Sequence, residues 1–508
     1  MYMKTLAYIL AATLVILGSS AYGRNYYVND TATGGDVYCT AIGSLSNSGM
    51  DPSAPRLSVQ SVLDDYDLDA SDMIWVDTGT YGATNTDGTI FTIGSEDQGS
   101  SIDYVTIQGS TNYAAGGTLL NRANTAYNAI VLSSSAYIRV ASLTIANAQH
   151  GIYVEGASNL WIEDVEIAGC AAQGIYLDSA PDAALKQARI HDNGDSGVSV
   201  ARASTSLAME HCTLWQNQTG SSGDKPEISC TNGATRLTLS NCVVYASGSD
   251  HYCLEMSGDF GQYFGDYNCL GTNDGAQVAR KYAGSVFAHL TDWQAFTNQD
   301  LHSMALNPQL TTNGNLRSTA GTWVGGTWTT SSIDSPCIDR GDASIDAAAE
   351  PAPNAGRINI GAFGGTFRAA KSADSDGDGL YNNQEIFDYG TDPQKTDSDG
   401  DGYSDLSEAI AGTEGTNSAS FFDFAEKHWS STQQGFVVKW YGSSHRTYQP
   451  QWSTNLPAGV WSNCTGLVDT TGRSLQSVSG TNGWETAIDT NGDFSAFKYY
   501  RIKVAKTP

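Results

Sequence analysis

Ile138-Arg-Val140-Ala-Ser-Leu143-Thr-Ile145 and Leu160-Trp-Ile162-Glu-Asp-Val165-Glu-Ile167 follow one pattern, apolar-x-apolar-x-x-apolar-x-apolar. It returns at Ala183, Leu185, Ala188 and Ile190, at Leu207, Met209, Cys212 and Leu214, and at Leu237, Leu239, Cys242 and Val244. A shorter run precedes each later copy: Ile152-x-Val154, Ile175-x-Leu177, Val198-x-Val200 and Ile228-x-Cys230. Gly151, Gly174 and Gly197 stand immediately before three of these runs, 23 residues apart. Alternation with period two predicts strands with one buried face. The x-x break predicts a two-residue bend that reverses the phase. Three short strands repeating every 22–24 residues predict a parallel β-solenoid.

Registry carries the inference. The step is 24 from Ile190 to Leu214 and jumps to 30 from Leu214 to Val244. The same 30 separates Val200 from Cys230. One insertion, the polar run Gln216–Glu227, explains both jumps. A β-sandwich of alternating strands would show no phase of this kind.

The pattern resembles the right-handed parallel β-helix of the pectate-lyase-like superfamily. The ladders carry the resemblance, with the bend pairs Ser240-Asn241 and Tyr267-Asn268, which end in asparagine. Parallel crossovers are expected to be right-handed. Residues 24–100 are similar to the opening of such proteins. There a strand (Asn25–Asp30) and a capping helix (Leu57–Leu63) precede the first coil (Asp72–Tyr81). The cap answers a physical need, because an open coil exposes unpaired backbone. Ser335–Asp342 and Ile358–Phe363 look like the last coils, so the resemblance covers about 24–365. It implies a fold and leaves activity open, since this fold serves lyases, hydrolases, esterases and adhesins.

Residues 1–23 are expected to be a signal peptide: Lys4, the apolar run Leu6–Leu17, then small residues. No cysteine stands at the cleavage point, so no lipid anchor is expected. The run is short for a bilayer span. A secreted, extracellular or cell-surface protein without a membrane span is therefore expected. The net charge of −28 repels nucleic acid and suits a calcium-containing medium. Nine cysteines would suggest disulfides in a secreted chain. However, Cys212 and Cys242, and Cys230 and Cys253, fall at equivalent inward positions, which favours a ladder of buried thiols.

After a linker at 366–373 the composition changes. Asp374-Ser-Asp-Gly-Asp-Gly-Leu-Tyr-Asn-Asn-Gln-Glu385 and Asp397-Ser-Asp-Gly-Asp-Gly-Tyr-Ser-Asp-Leu-Ser-Glu408 each match D-x-D-x-D-G-x5-E, 23 residues apart. Carboxylates at loop positions 1, 3 and 5, a carbonyl at 7 and a glutamate at 12 supply the oxygens calcium requires. Asp374, Asp376, Asp378, Leu380, Asn382 and Glu385 are expected to hold one ion. Asp397, Asp399, Asp401, Tyr403, Asp405 and Glu408 are expected to hold another. Residues 374–408 carry eleven acids and one lysine. The pattern resembles thrombospondin type 3 repeats more than dockerin, because the helices after each loop look poor. The repeats are placed at 374–417, and they imply a calcium-stiffened connector. Residues 421–508 alternate again between turns such as Asn482-Gly and read as a small β-sandwich accessory module. The chain as a whole is therefore expected to be all-β: a right-handed parallel β-helix with three short strands per coil, then calcium-binding repeats, then a sandwich.

In proteins this chain resembles, substrate lies along the sheet built from the Ile152-type runs. There Tyr153 and Tyr176 stack on neighbouring coils, followed by Glu155 and Asp178, then Arg202. Turns add His191 and Asp192, and the insertion adds Asp224, Lys225 and Glu227. Tyr153, Tyr176, His191 and Asp192 are the expected substrate contacts. A uronic-acid lyase needs a base, Lys225 or Arg202, and calcium held by Glu155 and Asp178. A glycoside hydrolase needs two carboxylates, which the Glu155/Asp178 stack allows. No pectin-hydrolase or pectate-lyase catalytic motif is present. Glu163, Lys186 and Glu210, and Glu166 with Arg189, read as charge ladders. Two functions follow: a protein that binds and cleaves extracellular polysaccharide or cell-surface glycan, or a non-catalytic adhesin or matrix protein.

Overall fold

A computed structural model describes residues 23–83, 85–202, 206–220, 225–230, 236–257, 262–281, 284–454, 459–490 and 498–506, with Lys225 described by its backbone. Residues 1–22 of the expected signal peptide and Asp224 lie outside them.

The periodic segment winds through three sheets, two of nine strands and one of eight, among the described residues. The first sheet runs from Asn25–Val28 to Tyr263–Asp266 and contains the Ile138-type runs. The second runs from Gly79–Tyr81 to Cys269–Asn273. The third, from Phe91–Ile93 to Gln277–Lys281, holds the Ile152-type runs and ends with antiparallel Val286–Phe287. All other pairings in these sheets are parallel. Leu160 pairs with Ala183, Ala183 with Leu207, and Leu207 with Leu237. Across the insertion Leu214 pairs with Val244 and Val200 with Cys230, so both 30-residue steps are in register.

Inward residues of all three sheets form one buried core. Each fully buried aliphatic side chain there stabilises the coil by roughly 1.5–3 kcal/mol. All nine cysteines are buried and none forms a disulfide. The bend between first and second sheets is left-handed at its second residue: Ser142, Asp164, Gln187, His211, Asn241 and Tyr267 have φ between 51° and 56°. Asn241 alone of these is an asparagine. The bend expected at Tyr267-Asn268 is in fact Asp266-Tyr267. Asn268 points inward at the position of Cys242, whose N–H donates to Asn268 Oδ1 at 2.9 Å.

Glycine is required at 151 and 174. A Cβ on Gly174 would lie 2.6 Å from Ile190 Cγ2 and 2.8 Å from the Gly197 carbonyl. The helix Val59–Leu63 buries Val59, Val62 and Leu63 at the start of the core. At the other end buried Asp300 accepts from Tyr263 Oη at 2.7 Å, Trp293 Nε1 at 2.9 Å and Asn268 Nδ2 at 3.0 Å.

The chain divides into two compact units: the solenoid to Pro308 with 325–327 and 360–362, and the remainder from Gln309 onward. In the first, the Gly361 N–H donates to the Asn241 carbonyl at 2.8 Å and the Ala362 N–H to Thr213 Oγ1 at 2.9 Å. In the second, residues 335–342, expected as a final coil, carry no ladder strand. There Asp339 accepts from Ser372 Oγ at 2.8 Å and from the Ala355 N–H at 3.3 Å. Farther on, Glu350 accepts from the N–H groups of Asn359 at 2.8 Å and Gly365 at 2.7 Å.

Helical segments begin within both acidic loops, at position 9, and are short, as the reading of their sequence expects. Asn382–Gln384 runs into a wider turn at Glu385–Tyr389, and Asp405–Ala411 is capped by Ser404. The C-terminal module is a sandwich of a five-stranded and a four-stranded antiparallel sheet. Val438, Trp440, Tyr448, Leu467 and Ala487 form its core.

Candidate functional site

In-register parallel strands place equal positions about 4.8 Å apart, so like residues stack. On the outer face of the third sheet Tyr153 pairs with Tyr176 and Glu155 with Asp178. The two tyrosine rings lie 5.5 Å apart and 9° from parallel. His150, on the preceding turn, sets its ring 5.5 Å from Tyr153 and 5.3 Å from Tyr176. Burial and the neighbouring Glu155 and Asp178 carboxylates raise the Tyr153 phenol, so it stays neutral.

Glu155 is exposed, whereas Asp178 is buried and ion-paired with the exposed Arg202. That pair raises the Arg202 guanidinium. A cation held by its own carboxylate is a poor proton acceptor, so Arg202 in this arrangement is a charge partner rather than a base. Lys225 begins the strand Lys225–Cys230, where its backbone pairs with His251.

His191 and Asp192 belong to the second sheet and its turn, not to the tyrosine face. His191 Nδ1 meets Asp192 Oδ2 at 2.7 Å, and Nε2 meets Glu166 Oε1 at 3.2 Å. Its ring stacks on Trp215 at 4.0 Å. Arg189 donates to Glu166 Oε2 at 2.6 Å, which is the charge ladder read from the sequence. Lys186 meets Glu210 at 3.4 Å in the same manner.

Two buried groups escaped the sequence reading. Farther along the tyrosine face Glu255 accepts from Arg280 Nε at 2.6 Å and from Ser229 Oγ at 3.2 Å. Inside the coil Asn193 and Asn217, 24 residues apart, form a ladder. Asn193 Nδ2 donates to Asn217 Oδ1 at 2.8 Å, and Asn217 Nδ2 to Glu227 Oε2 at 2.6 Å. Glu227 occupies the position held by Gly197 one coil earlier. It is therefore an interior group, and burial pushes its carboxyl up to about 8. The 24-residue repeat of asparagine was the available signal.

In the acidic loops Asp374, Asp376 and Asp378 each place a carboxylate oxygen within 4.8 Å of the others, as do Asp397, Asp399 and Asp401. Glu385 and Glu408 are buried beside them, each with an unpartnered Oε2, and Asp376, Asp399 and Asp401 each have an unpartnered Oδ2. Burial, then the surrounding aspartates, pushes Glu385 up to about 8. Converging oxygens without donors are what a hard divalent cation satisfies, so the residues fit calcium. The side chains at loop position 9 also close the fold. Asn382 Oδ1 accepts from Ser375 N at 3.0 Å, and Asp405 accepts from Ser398 N at 2.9 Å and Oγ at 2.7 Å. Asp378 Oδ2 accepts from Leu406 N at 2.8 Å, which ties one loop to the next. Among the described residues no helix is long and apolar enough to cross a membrane.

Residues 90–263 match the family described as right handed beta helix region. Residues 374–396 and 397–413 match the bacterial TSP3 repeat. No curated protein matches the chain. Similar solved structures include pectate lyase Pel9A, at 14% identity over 67% of this chain and 97% of that one, with a TM-score of 0.40. A rhamnogalacturonan lyase is 11% identical over 50% and 75%, with a TM-score of 0.35. An alginate lyase from Paenibacillus sp. str. FPU-7 is 11% identical over 49% and 96%, with a TM-score of 0.31. At these identities the likeness says nothing about chemistry.

Proposed function

We propose, for a right-handed parallel β-helix protein that carries bacterial TSP3 repeats and a C-terminal sandwich, secretion to the cell exterior and binding of extracellular polysaccharide. The observation that carries this reading is the Tyr153/Tyr176 stack with His150 against it. Flat rings repeating along a coil axis offer successive sugar rings successive apolar faces, while Glu155, Asp178 and Arg202 offer hydrogen bonds to hydroxyl and carboxylate groups. The repeats hold calcium through the two acidic loops and stiffen the connection to the sandwich.

Cleavage, in this reading, is lyase chemistry on a uronic acid. Arg202 neutralises the uronate carboxylate; Glu155 and Asp178 are the residues that would hold a calcium ion, which would supply the same neutralisation. A base takes the C5 proton, the C5–H electron pair becomes the C4=C5 double bond, and the C4–O bond breaks with the departing oxygen taking a proton from water. Lys225 is the base this reading favours, since Arg202 is engaged by Asp178. That same ion pair favours the second reading, a non-catalytic adhesin or matrix protein, because it engages Asp178 and Arg202 with each other.

Incubating the full chain with alginate and polygalacturonate in calcium, while following unsaturated product and retention on each polymer, separates the readings. Product that disappears in Lys225→Ala supports the lyase. Retention without product, lost in Tyr153→Ala and Tyr176→Ala, supports the adhesin. Retention indifferent to both tyrosines overturns the proposed face.

A further inference from the structure

Tyr441 and Trp484 are opposed cross-strand neighbours in the five-stranded sheet of the sandwich. Their rings meet edge to face, 5.7 Å apart at 88°. They remain 53% and 61% exposed, an unusual state for two large rings on one small module. Both line a cavity of about 520 Å³. Its opposite wall is the segment just after the second acidic loop, with Thr413, Glu414, Phe421 and Asp423.

That wall is held by the loop. Thr413 Oγ1 donates to Glu408 Oε1 at 3.1 Å, and Glu408 is the position-12 glutamate. Phe421 stacks on Tyr403, the position-7 residue, at 6.3 Å and 6°. The sandwich grips the same segment from the other side. Arg446 donates to the Ile410 and Ala409 carbonyls at 2.7 and 2.9 Å, and Ser443 Oγ to the Gly412 carbonyl at 3.1 Å. An ion drawn in by Glu408 and the Tyr403 carbonyl would fix the two residues against which Thr413 and Phe421 rest.

Among the described residues the lining carries two carboxylates, Glu414 and Asp423. The lysines beside it are engaged: Lys427 meets Asp423 at 3.4 Å, and Lys439, whose Nζ lies 5.5 Å from the Trp484 ring centroid, meets Glu426 at 2.7 Å. Three acids against two lysines leave the site net negative, which disfavours a polyuronate. A neutral pyranose suits it: the C–H face of the sugar lies on Trp484 or Tyr441, and its hydroxyls donate to Glu414 and Asp423. We propose that this cavity is a calcium-dependent binding site for a neutral glycan. The proposal is independent of the tyrosine face, and separate substitutions test each.

The full chain is run in native gels containing galactomannan, mixed-linkage β-glucan or polygalacturonate, with calcium or with EGTA. Retardation by a neutral polymer is expected in calcium, weakened about tenfold in apparent affinity by Trp484→Ala or Tyr441→Ala. Trp161→Ala, which removes an exposed ring from the first coil sheet, is expected to leave it unchanged. EGTA and Glu408→Gln are expected to weaken it as well. Calorimetric calcium titration of Trp484→Ala is expected to match the parent, which separates the cavity from its support. The proposal is overturned if no neutral polymer retards the protein, if retardation survives Trp484→Ala, or if it is equal in EGTA. Retardation by polygalacturonate that Trp484→Ala abolishes also overturns it.

Discussion

At the scale of the residue, Glu227 shows how one position in a repeating coil can change its chemistry. Its counterpart Gly197 leaves no room for a side chain, since a Cβ there would lie 2.8 Å from Asn217 Nδ2. At Glu227, the end of the insertion, a carboxyl closes the asparagine ladder. Burial pushes that carboxyl from about 4.5 up to about 8, so the folded state keeps a proton that the unfolded chain releases. Stability from this group is therefore complete below about pH 4.5 and declines as pH rises toward 8. The decline is about 1.4 kcal/mol per pH unit. Urea denaturation at pH 5 and pH 7 checks it, and Glu227→Gln is expected to flatten the difference between the two. An unchanged difference would mean that the group ionises freely in the fold.

At the scale of the element, the coils and the acidic loops fail in different ways. Gly174→Ala forces a methyl into the Ile190 side chain and the Gly197 carbonyl. It is expected to cost about 1–3 kcal/mol, read as a lower denaturation midpoint with little change in slope. The loops depend on charge instead. Eleven acids and one lysine between 374 and 408 repel one another unless a cation intervenes. Removing calcium with EGTA is expected to open 374–413 to limited proteolysis while the coils stay resistant. Cleavage first within 138–244 would contradict that order. The repeat of strands, the period and the position of the insertion were all legible, because packing against the coil above imposes the same constraint on each turn. Where the short helices at the acidic loops start was not legible. Asp405–Ala411 owes its start to the Ser404 cap, whose Oγ accepts from Ser407 N at 3.2 Å, while its apolar pattern is weak.

At the scale of the whole molecule, a net charge of −28 favours expansion over compaction. Raising the salt concentration at neutral pH is expected to raise Tm in calcium-free solution, and to do so less once calcium is present. Differential scanning calorimetry checks this, and a Tm that falls with salt would show that ion pairs outweigh the repulsion. The cross-coil pairs Arg139–Glu163 at 2.7 Å and Arg189–Glu166 at 2.6 Å are the strongest candidates for such an effect.

The amino-acid sequence by itself determined the coil, the stacking of Tyr153 on Tyr176 and the two acidic loops. Each is a matter of spacing, and spacing is preserved when parallel strands pair in register. Only the tertiary structure decided that Asp178 is buried against Arg202, that His191 is held between two carboxylates on another sheet, and that Asn268 faces inward. It alone showed that the wall beside Tyr441 and Trp484 rests on Glu408 and Tyr403. Those outcomes depend on which turns and strands meet across tens of residues, and on the burial that follows.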